Sequence, residues 1–241
     1  MPYPGKSSCC RDRCVLIFLK SPDAGLVKSR LSCDIDSAAV LSLYRNFGLD
    51  LLETLRKGSY AFEFFFYPKE SKEKISNWLG EDFSYNPQHG HDLGERMKNA
   101  FVRSFSEGYR RVVLIGSDIP DLTNKILLEA FELESHDAVV GPAFDGGYYL
   151  IGFKNDTFLP EIFDGMPWGT DAVYAATTEI FKKNNYRVRI LTKWRDVDRI
   201  QDLKALVDRN RHTEFANSRT MTFIAKNMDL LFKEGEDHSC E

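Results

Sequence analysis

The chain has 241 residues, of which 43% are hydrophobic and 28% are charged, and this composition excludes a disordered chain, a collagen and a low-complexity repeat. Its 32 Lys and Arg residues and 36 Asp and Glu residues give a net charge of −4, which argues against bulk binding to nucleic acid or to an anionic membrane. We expect one domain over residues 1–241, with a core over about 14–209 and a C-terminal helical extension over 210–241.

The sequence predicts a cytoplasmic protein. No segment approaches the roughly 18 consecutive apolar residues of a membrane-spanning helix, and the first residues lack the apolar region of a signal peptide. An odd number of cysteines without a C-x-x-C spacing is typical of reduced thiols, with a metal-binding thiol cluster near the N-terminus as the alternative. The five cysteines are Cys9, Cys10, Cys14, Cys33 and Cys240.

Strand and helix patterns alternate along the chain. The apolar run at residues 14–19 predicts a strand that is buried on both faces. Apolar residues at three- and four-residue spacing from Val40 to Leu55 predict an amphipathic helix that ends at Gly58. Further strands are predicted over 60–67, 112–115, 138–140, 148–151 and 187–191, and further helices over 71–79, 92–106, 123–134, 171–184 and the remainder of the chain.

Strands joined by helices favour a Rossmann-like α/β fold of three layers, in which helices cover both faces of a mostly parallel central sheet. Ligands of such sheets lie outside the carboxyl ends of the strands. Four loops follow predicted strands, and each carries charged residues or glycines that a simple connection does not need. We therefore expect the functional site at that edge of the sheet.

The first of these loops is rich in cations. Lys20, Lys28 and Arg30 fall within eleven residues at the end of the first strand, and Gly25 lets the backbone approach a ligand closely. Lys binds phosphate oxygens as a point charge and Arg as a planar fork, so the loop favours phosphate binding, with a solvated basic turn as the alternative. The spacing matches neither a Walker A loop nor a G-x-G-x-x-G dinucleotide fingerprint.

Carboxylates follow two other predicted strands. Asp118 comes after the strand at 112–115, and Asp196 and Asp198 come after the strand at 187–191. Carboxylate oxygens are ligands that Mg²⁺ prefers, so Asp118 and Asp198 would hold one divalent ion between them if their loops converge. The alternative for these residues is that they cap the helices that follow.

The third loop and the segment after it offer further candidates. Asp145-Gly146-Gly147 joins two predicted strands and forms either a simple hairpin turn or an open shelf that a polar substrate can reach. Trp168 precedes a helix, and it either walls an acceptor pocket or belongs to the core.

A predicted helix start places two more candidates near the site. Gly94 and Arg96 lie in the first turn of the helix at 92–106, and a helix N-terminus is suited to anions; an exposed helix residue is the alternative for Arg96. His89 and His91 lie in a polar loop without a third metal ligand, so we expect both to be solvated.

Six motifs occur in a recognisable order between Cys14 and Leu203. They are K-x-P-x-x-G-x-x-K-[ST]-R-L, L-G-E-R-M, G-[ST]-D-x-P, G-P-x-x-D-G-G-Y-Y-L-I-G, a Trp before a helix, and D-V-D-x-x-x-D-L. This order resembles a bacterial family of uncharacterised transferases in the nucleotide-diphospho-sugar transferase superfamily, which has the glycosyltransferase A fold. The chain is more distantly similar to the 2-phospholactate and molybdopterin guanylyltransferases. It departs from the pattern at Phe144, where a polar or acidic residue is expected, and at Ile119, where Cys is common.

The resemblance implies a role for each candidate residue. The nucleotide phosphates would contact Lys20, Gly25, Lys28 and Arg30, and the nucleoside would lie near Gly94 and Arg96. The metal would bind Asp118, with Asp198 as the second carboxylate, and the acceptor would face Asp145, Gly146, Gly147 and Trp168.

The sequence therefore predicts a transferase that depends on Mg²⁺ (or Mn²⁺) and takes a nucleoside triphosphate or a nucleotide-diphospho-sugar together with a small-molecule acceptor. Lys28, Arg30 and Asp118 would act in catalysis by positioning and by neutralising charge as the donor bond breaks. The reaction would be glycosyl transfer, or nucleotidyl transfer by attack of a phosphorylated acceptor on an α-phosphate, which the cations of the first loop favour. The alternative is a catalytically inactive nucleotide-binding regulatory or partner protein.

Overall fold

The computed structural model describes residues 12–23 and 27–232. The cation-rich first loop is therefore described on either side of residues 24–26, and Gly25 lies outside the described residues. The same holds for Cys9, Cys10 and Cys240. Cys14, in contrast, is completely buried in the first strand.

One sheet of seven strands forms the centre of the structure. The strands are β1 (Arg13–Lys20), β2 (Ala61–Tyr67), β3 (Tyr85–Pro87), β4 (Arg111–Gly116), β5 (Ala138–Pro142), β6 (Tyr148–Lys154) and β7 (Val188–Ile190). Their order across the sheet is β3-β2-β1-β4-β6-β5-β7. Among the strands of the described residues, β6 alone runs antiparallel to its neighbours, β4 and β5, so the prediction of a mostly parallel sheet is confirmed.

Helices cover both faces of the sheet. They are α1 (Ser37–Arg56), α2 (Lys72–Leu79), α3 (Leu93–Ser106), α4 (Asn124–Ala130), α5 (Val173–Lys183), α6 (Ile200–Asn210), α7 (Arg219–Lys226) and α8 (Met228–Leu231). In β1, Val15 and Ile17 pack in a cluster with α1, α2 and α4, whereas Leu16 packs in a second cluster with α3 and α5. The predicted three-layer α/β/α architecture and the double-sided burial of the first strand are thus confirmed.

The C-terminal helices add a further layer on the outside of α1. Leu203 of α6 and Ile224 of α7 pack with Phe47 of α1 in a third apolar cluster. The carboxylate of Asp50 in α1 accepts the backbone N–H groups of Arg219 and Thr220 at 3.0 and 2.8 Å. Asp50 therefore caps the start of α7 and fixes the C-terminal helices against the core.

A few predicted boundaries differ from the structure. The helix predicted over 123–134 ends at Ala130, and the one predicted from residue 171 begins at Val173. Strand β3 was not predicted, because it has three residues at the sheet edge and ends in a proline, which cannot donate to a ladder. Within the described ranges, no helix is both long and apolar enough to cross a membrane.

Candidate functional site

A cavity of about 850 Å³ opens at the carboxyl edge of the sheet. All four loops that the sequence singles out contribute to its lining. Lys28 comes from the loop after β1, Asp118 from the loop after β4, Asp145 from the β5–β6 turn and Asp198 from the loop after β7. The cavity therefore lies where parallel α/β sheets usually bind ligands.

Lys28 lies between two carboxylates in this cavity. Its side chain is only 3% exposed, and its Nζ lies 2.7 Å from Asp118 Oδ1 and 2.9 Å from Asp198 Oδ1. Burial by itself would lower the pKa of Lys28, but the charges of Asp118 and Asp198 outweigh burial and raise the pKa. The backbone of Lys28 has a φ of 52°, a left-handed conformation that side-chain-bearing residues rarely adopt and that marks functional sites. A protonated lysine thus ties together three loops.

Asp198 has a second cation nearby. Burial would raise the pKa of Asp198, but Lys28 first, and then Arg30 and Lys20, lower it below the ordinary value. Arg30 Nη1 lies 3.8 Å from Asp198 Oδ2, and the Arg30 side chain is 56% exposed. This contact is long and solvated, so the guanidinium of Arg30 can turn toward a ligand at little cost.

Asp196 stands in the opposite electrostatic situation. Burial above all, and then the nearby carboxylates of Asp145 and Asp198, raise the pKa of Asp196 to about 7, although Lys28 acts to lower it. Asp145 is held in place because its Oδ1 accepts the backbone N–H of Gly147 at 2.9 Å. Unlike the Lys28 cluster, this part of the cavity therefore has a surplus of negative charge.

Tyr44 of α1 fixes the ends of two central strands. Its hydroxyl accepts the backbone N–H of Lys20 at 3.0 Å and lies 3.2 Å from Ser117 Oγ. Burial raises the pKa of Tyr44 to about 12, so the hydroxyl remains neutral. The loops after β1 and β4 are thereby held at a fixed separation by one side chain.

Asp121 anchors the loop that carries Asp118. Its side chain is 1% exposed, and it accepts hydrogen bonds from Arg209 Nε at 2.7 Å, Asn210 Nδ2 at 2.8 Å and Trp194 Nε1 at 3.0 Å. The capping role considered for this loop belongs to Thr123, which caps α4. Asp121 instead connects the loop to α6.

Arg96 lies on the β2 side of the cavity, where the nucleoside was expected. Its guanidinium lies 4.2 Å from the ring centroid of Tyr67, and its Nε donates to the carbonyl of Gly90 at 3.1 Å. Arg96, Tyr67 and Lys20 all line the cavity. The stacked Arg–Tyr pair offers a flat surface against which a nucleobase can pack.

Gly94 and Gly146, which were expected near the nucleoside and the acceptor, do not line the cavity. Gly94 is buried. A Cβ there would lie 2.3 Å from the carbonyl oxygen of Phe163 and 2.6 Å from Trp168 Nε1. Gly146, with a φ of 90°, packs against the backbone of Asp171 in the same way. Both glycines allow close approach of a neighbouring loop, and Trp168, which does line the cavity, owes its position to Gly94.

The described residues contain no group of three or more His, Cys, Asp or Glu side chains arranged to hold a metal ion. His89 and His91 are exposed. Asp118 and Asp198 nevertheless share one cation, the ammonium of Lys28, and carboxylate oxygens are ligands that Mg²⁺ prefers. Because Mg²⁺ in nucleotide sites commonly binds one or two carboxylates together with substrate phosphates, this pair fits a metal shared with a nucleotide.

Sequence reasoning missed three residues of the cavity. Asp196 was set aside in favour of Asp198, although both follow the same strand. Asp171 was assigned only to the predicted helix 171–184, but it lies before α5, which begins at Val173, and it lines the cavity. Tyr148 lines the cavity and packs against Trp168 with ring centroids 6.3 Å apart; its place beside Gly147 was the available signal.

Comparison with known proteins agrees with this geometry. The family model "Uncharacterized protein conserved in bacteria (DUF2064)" matches residues 51–170. A proposed nucleotide-diphospho-sugar transferase from Desulfovibrio desulfuricans G20 is 40% identical, with a TM-score of 0.89 over 93% of this chain and 99% of that chain. A search of curated proteins found no match.

Two more distant structures share the fold. A cytidylyltransferase from Leptospira borgpetersenii is 14% identical, with a TM-score of 0.52 over 94% of this chain and 99% of that one. A 4-diphosphocytidyl-2C-methyl-D-erythritol synthase from Anaerococcus prevotii is 9% identical, with a TM-score of 0.55 over 84% and 97%. The identity and coverage of the Desulfovibrio protein show that the chain belongs to its family, in the nucleotide-diphospho-sugar transferase superfamily, and the chain is thus a transferase.

Proposed function

We propose that the protein transfers a group from an activated nucleotide to a small-molecule acceptor with the help of Mg²⁺. The observation that carries this proposal is the buried Lys28 between Asp118 and Asp198, at the carboxyl edge of the sheet and inside a cavity of about 850 Å³. Cavities of this size accommodate a nucleotide-sized ligand.

Different residues around Lys28, Asp118 and Asp198 would bind different parts of the donor. Lys20 and Arg30 line the cavity beside Lys28 and supply positive charge for phosphate oxygens. Arg96 and Tyr67 provide the surface for the nucleoside. Asp118 and Asp198 would hold Mg²⁺, which when bound would supply positive charge to the phosphates of the donor.

Two reactions use such a site. In nucleotidyl transfer, an acceptor oxygen forms a bond to the α-phosphorus of a nucleoside triphosphate, the α–β bridging bond breaks, and pyrophosphate leaves with the electron pair. In glycosyl transfer, an acceptor oxygen bonds to the anomeric carbon of a nucleotide-diphospho-sugar, and a nucleoside diphosphate leaves. The three cations Lys20, Lys28 and Arg30 favour a triphosphate and hence nucleotidyl transfer, whereas the name of the Desulfovibrio relative favours glycosyl transfer.

A thermal-shift panel separates these reactions. Each nucleoside triphosphate and each common nucleotide-diphospho-sugar is added with and without Mg²⁺, at concentrations where a ligand at 100 times its Kd adds about 2.7 kcal/mol of stability. Mg²⁺-dependent stabilisation by one triphosphate supports nucleotidyl transfer, and stabilisation by a diphospho-sugar alone supports glycosyl transfer. If no nucleotide raises the melting temperature, the proposal fails.

Binding without turnover is tested separately. Candidate acceptors are added to the stabilising donor, and release of pyrophosphate or of nucleoside diphosphate is followed over time. Donor binding without release under any acceptor, and unchanged by the substitution Asp118→Asn, would instead support an inactive nucleotide-binding protein.

A further inference from the structure

The charges that line the cavity are not mixed evenly. The cations in its lining are Lys20, Lys28, Arg30 and Arg96, and all of them come from the end of β1, the loop after it, or α3. The other side of the lining, formed by the β5–β6 turn, the start of α5 and the loop after β7, carries Asp145, Asp171 and Asp196. Within the described residues, no Lys or Arg lines the cavity on that side.

These three aspartates lack cationic partners. None of the ion pairs among the described residues involves Asp145, Asp171 or Asp196, in contrast to Asp118 and Asp198, which both contact Lys28. Asp145 and Asp196 are near enough to interact electrostatically, and Gly146, next to Asp145, packs on the backbone of Asp171. Lys28 acts on Asp196 from the opposite wall, but no described Lys or Arg forms an ion pair with these three side chains. A ligand on this side therefore meets hydrogen-bond acceptors and is favoured if it supplies hydrogen-bond donors or positive charge.

Two cations that neighbour these aspartates in the sequence, Lys193 and Arg195, lie against Phe144. Lys193 Nζ and Arg195 Cζ each lie 4.7 Å from the ring centroid of Phe144, and none of these three side chains lines the cavity. Phe144 is 51% exposed. Arg195 is in addition paired with Asp202 at 3.0 Å, so neither cation forms an ion pair with the three aspartates.

Aromatic rings form the remaining wall on this side. Tyr148 and Trp168 both line the cavity, with ring planes at 84° to each other. Trp168 Nε1 is buried without a hydrogen-bond partner and lies against Gly94, so the indole presents its apolar surface to the cavity. A wall of aromatic rings beside carboxylates offers packing for C–H groups and acceptors for hydroxyl groups at the same time.

We propose that the acceptor is an uncharged or cationic molecule with several hydroxyl groups, and not a phosphate ester, because three unpaired aspartates and two aromatic rings form its part of the cavity. This inference rests on the proposed function and specifies its acceptor. A phosphate ester would bring like charge against the carboxylates, which strongly disfavours binding. The attacking group is accordingly a hydroxyl oxygen, which revises the phosphorylated acceptor that the sequence suggested for nucleotidyl transfer.

Calorimetric titration of the nucleotide-saturated protein tests this inference. The donor that stabilises the protein with Mg²⁺ is added first, and its thermal shift is verified. Matched probes are then titrated: glucose against glucose 6-phosphate, glucosamine against glucosamine 6-phosphate, and glycerol against glycerol 3-phosphate. Asp171→Asn is measured in parallel, with Asp164→Asn as the control, since Asp164 is also exposed but pairs with Lys98 and does not line the cavity.

We expect at least one unphosphorylated probe to bind at least tenfold more tightly than its phosphate ester. Asp171→Asn should reduce this preference about two- to fivefold, the range for one exposed charge, and Asp164→Asn should leave it unchanged. Tighter binding of any phosphate ester, failure of all unphosphorylated probes to bind, or an unchanged preference in Asp171→Asn would overturn the inference. Absence of the initial nucleotide shift would instead overturn the proposed function, and the acceptor assignment with it.

Discussion

Asp118 and Asp121 lie three residues apart in one loop and have opposite surroundings. The side chain of Asp121 is 1% exposed and is fully engaged by Arg209, Asn210 and Trp194. The side chain of Asp118 is 42% exposed, and among the described residues it forms an ion pair with one cation, Lys28. A carboxylate with every oxygen satisfied by the protein serves the fold, whereas one with remaining coordination capacity, facing a cavity, is available to a ligand.

The same substitution at both positions should separate these roles. We expect Asp121→Asn to lower the free energy of unfolding by roughly 3–5 kcal/mol, because it removes one partner of a buried ion pair and turns an amide N–H₂ toward other donors. Asp118→Asn should cost less than about 1 kcal/mol, because its side chain is 42% exposed and Lys28 keeps Asp198 as a charged partner. Urea unfolding of both variants measures the two free energies of unfolding. Equal losses of stability would contradict the assignment of Asp121 to the fold and of Asp118 to ligand binding.

The next largest effect is expected at Lys28. Lys28→Met leaves Asp118 and Asp198 facing each other without the ammonium, and should destabilise the protein by about 2–3 kcal/mol, less than for a fully buried pair because both carboxylates are partly exposed. Mg²⁺ alone should then raise the melting temperature of the variant more than that of the wild type, since a divalent ion can replace the lost charge. Equal responses to Mg²⁺ would count against Asp118 and Asp198 as metal ligands.

Gly94 tests whether a buried residue acts on the site through its neighbour. The new Cβ in Gly94→Ala would collide with the carbonyl of Phe163 and with Trp168, so we expect a loss of about 1–3 kcal/mol in stability from overpacking. Displacement of Trp168 should weaken acceptor binding while leaving the Kd of the nucleotide within about twofold. Weaker nucleotide binding with unchanged acceptor binding would place Gly94 beside the nucleoside, as the resemblance implied.

Glu63 is a third carboxylate to set beside Asp118 and Asp121. It is buried like Asp121, but its hydrogen-bond donors are neutral. It is 6% exposed and accepts from Asn86 Nδ2 at 2.8 Å and Tyr109 Oη at 3.3 Å. Burial, and to a lesser degree Glu107, raise the pKa of Glu63 above 4.5. A raised folded-state pKa favours folding below the unfolded-state pKa, and this contribution is lost as the pH rises through the folded-state pKa.

Glu63→Gln should therefore be the smallest change, and a stabilising one at neutral pH. The amide removes the cost of ionising a buried group, so the stability of the variant should vary less with pH above 4.5 than that of the wild type. Melting curves from pH 4 to pH 8 measure this, with Glu53→Gln as the control because Glu53 is exposed and pairs with Arg219. A variant that loses stability at neutral pH would contradict the assignment.

The layers of the fold follow from sequence patterns, because double-sided apolar strands such as β1 and the spaced apolar positions of α1 are local features. Convergence at the sheet edge also follows, since the carboxyl ends of parallel strands must meet there. The contacts of individual site residues, in contrast, cannot be predicted from such local patterns. Gly94 beneath Trp168, and Asp121 against Arg209, join residues that are far apart in the chain and meet only through tertiary packing.

On the proposed function, Asp118 helps to hold a metal-bound nucleotide in the cavity. Isothermal titration of the stabilising nucleotide, with and without Mg²⁺, tests it in the wild type, in Asp118→Asn and in Asp208→Asn, a solvated aspartate that pairs with Arg211. We expect Mg²⁺ to strengthen nucleotide binding in the wild type and in Asp208→Asn. In the presence of Mg²⁺, the Kd of the nucleotide should be at least tenfold higher for Asp118→Asn than for the wild type, which corresponds to about 1.4 kcal/mol. Unchanged Mg²⁺-dependent binding in Asp118→Asn would contradict the account.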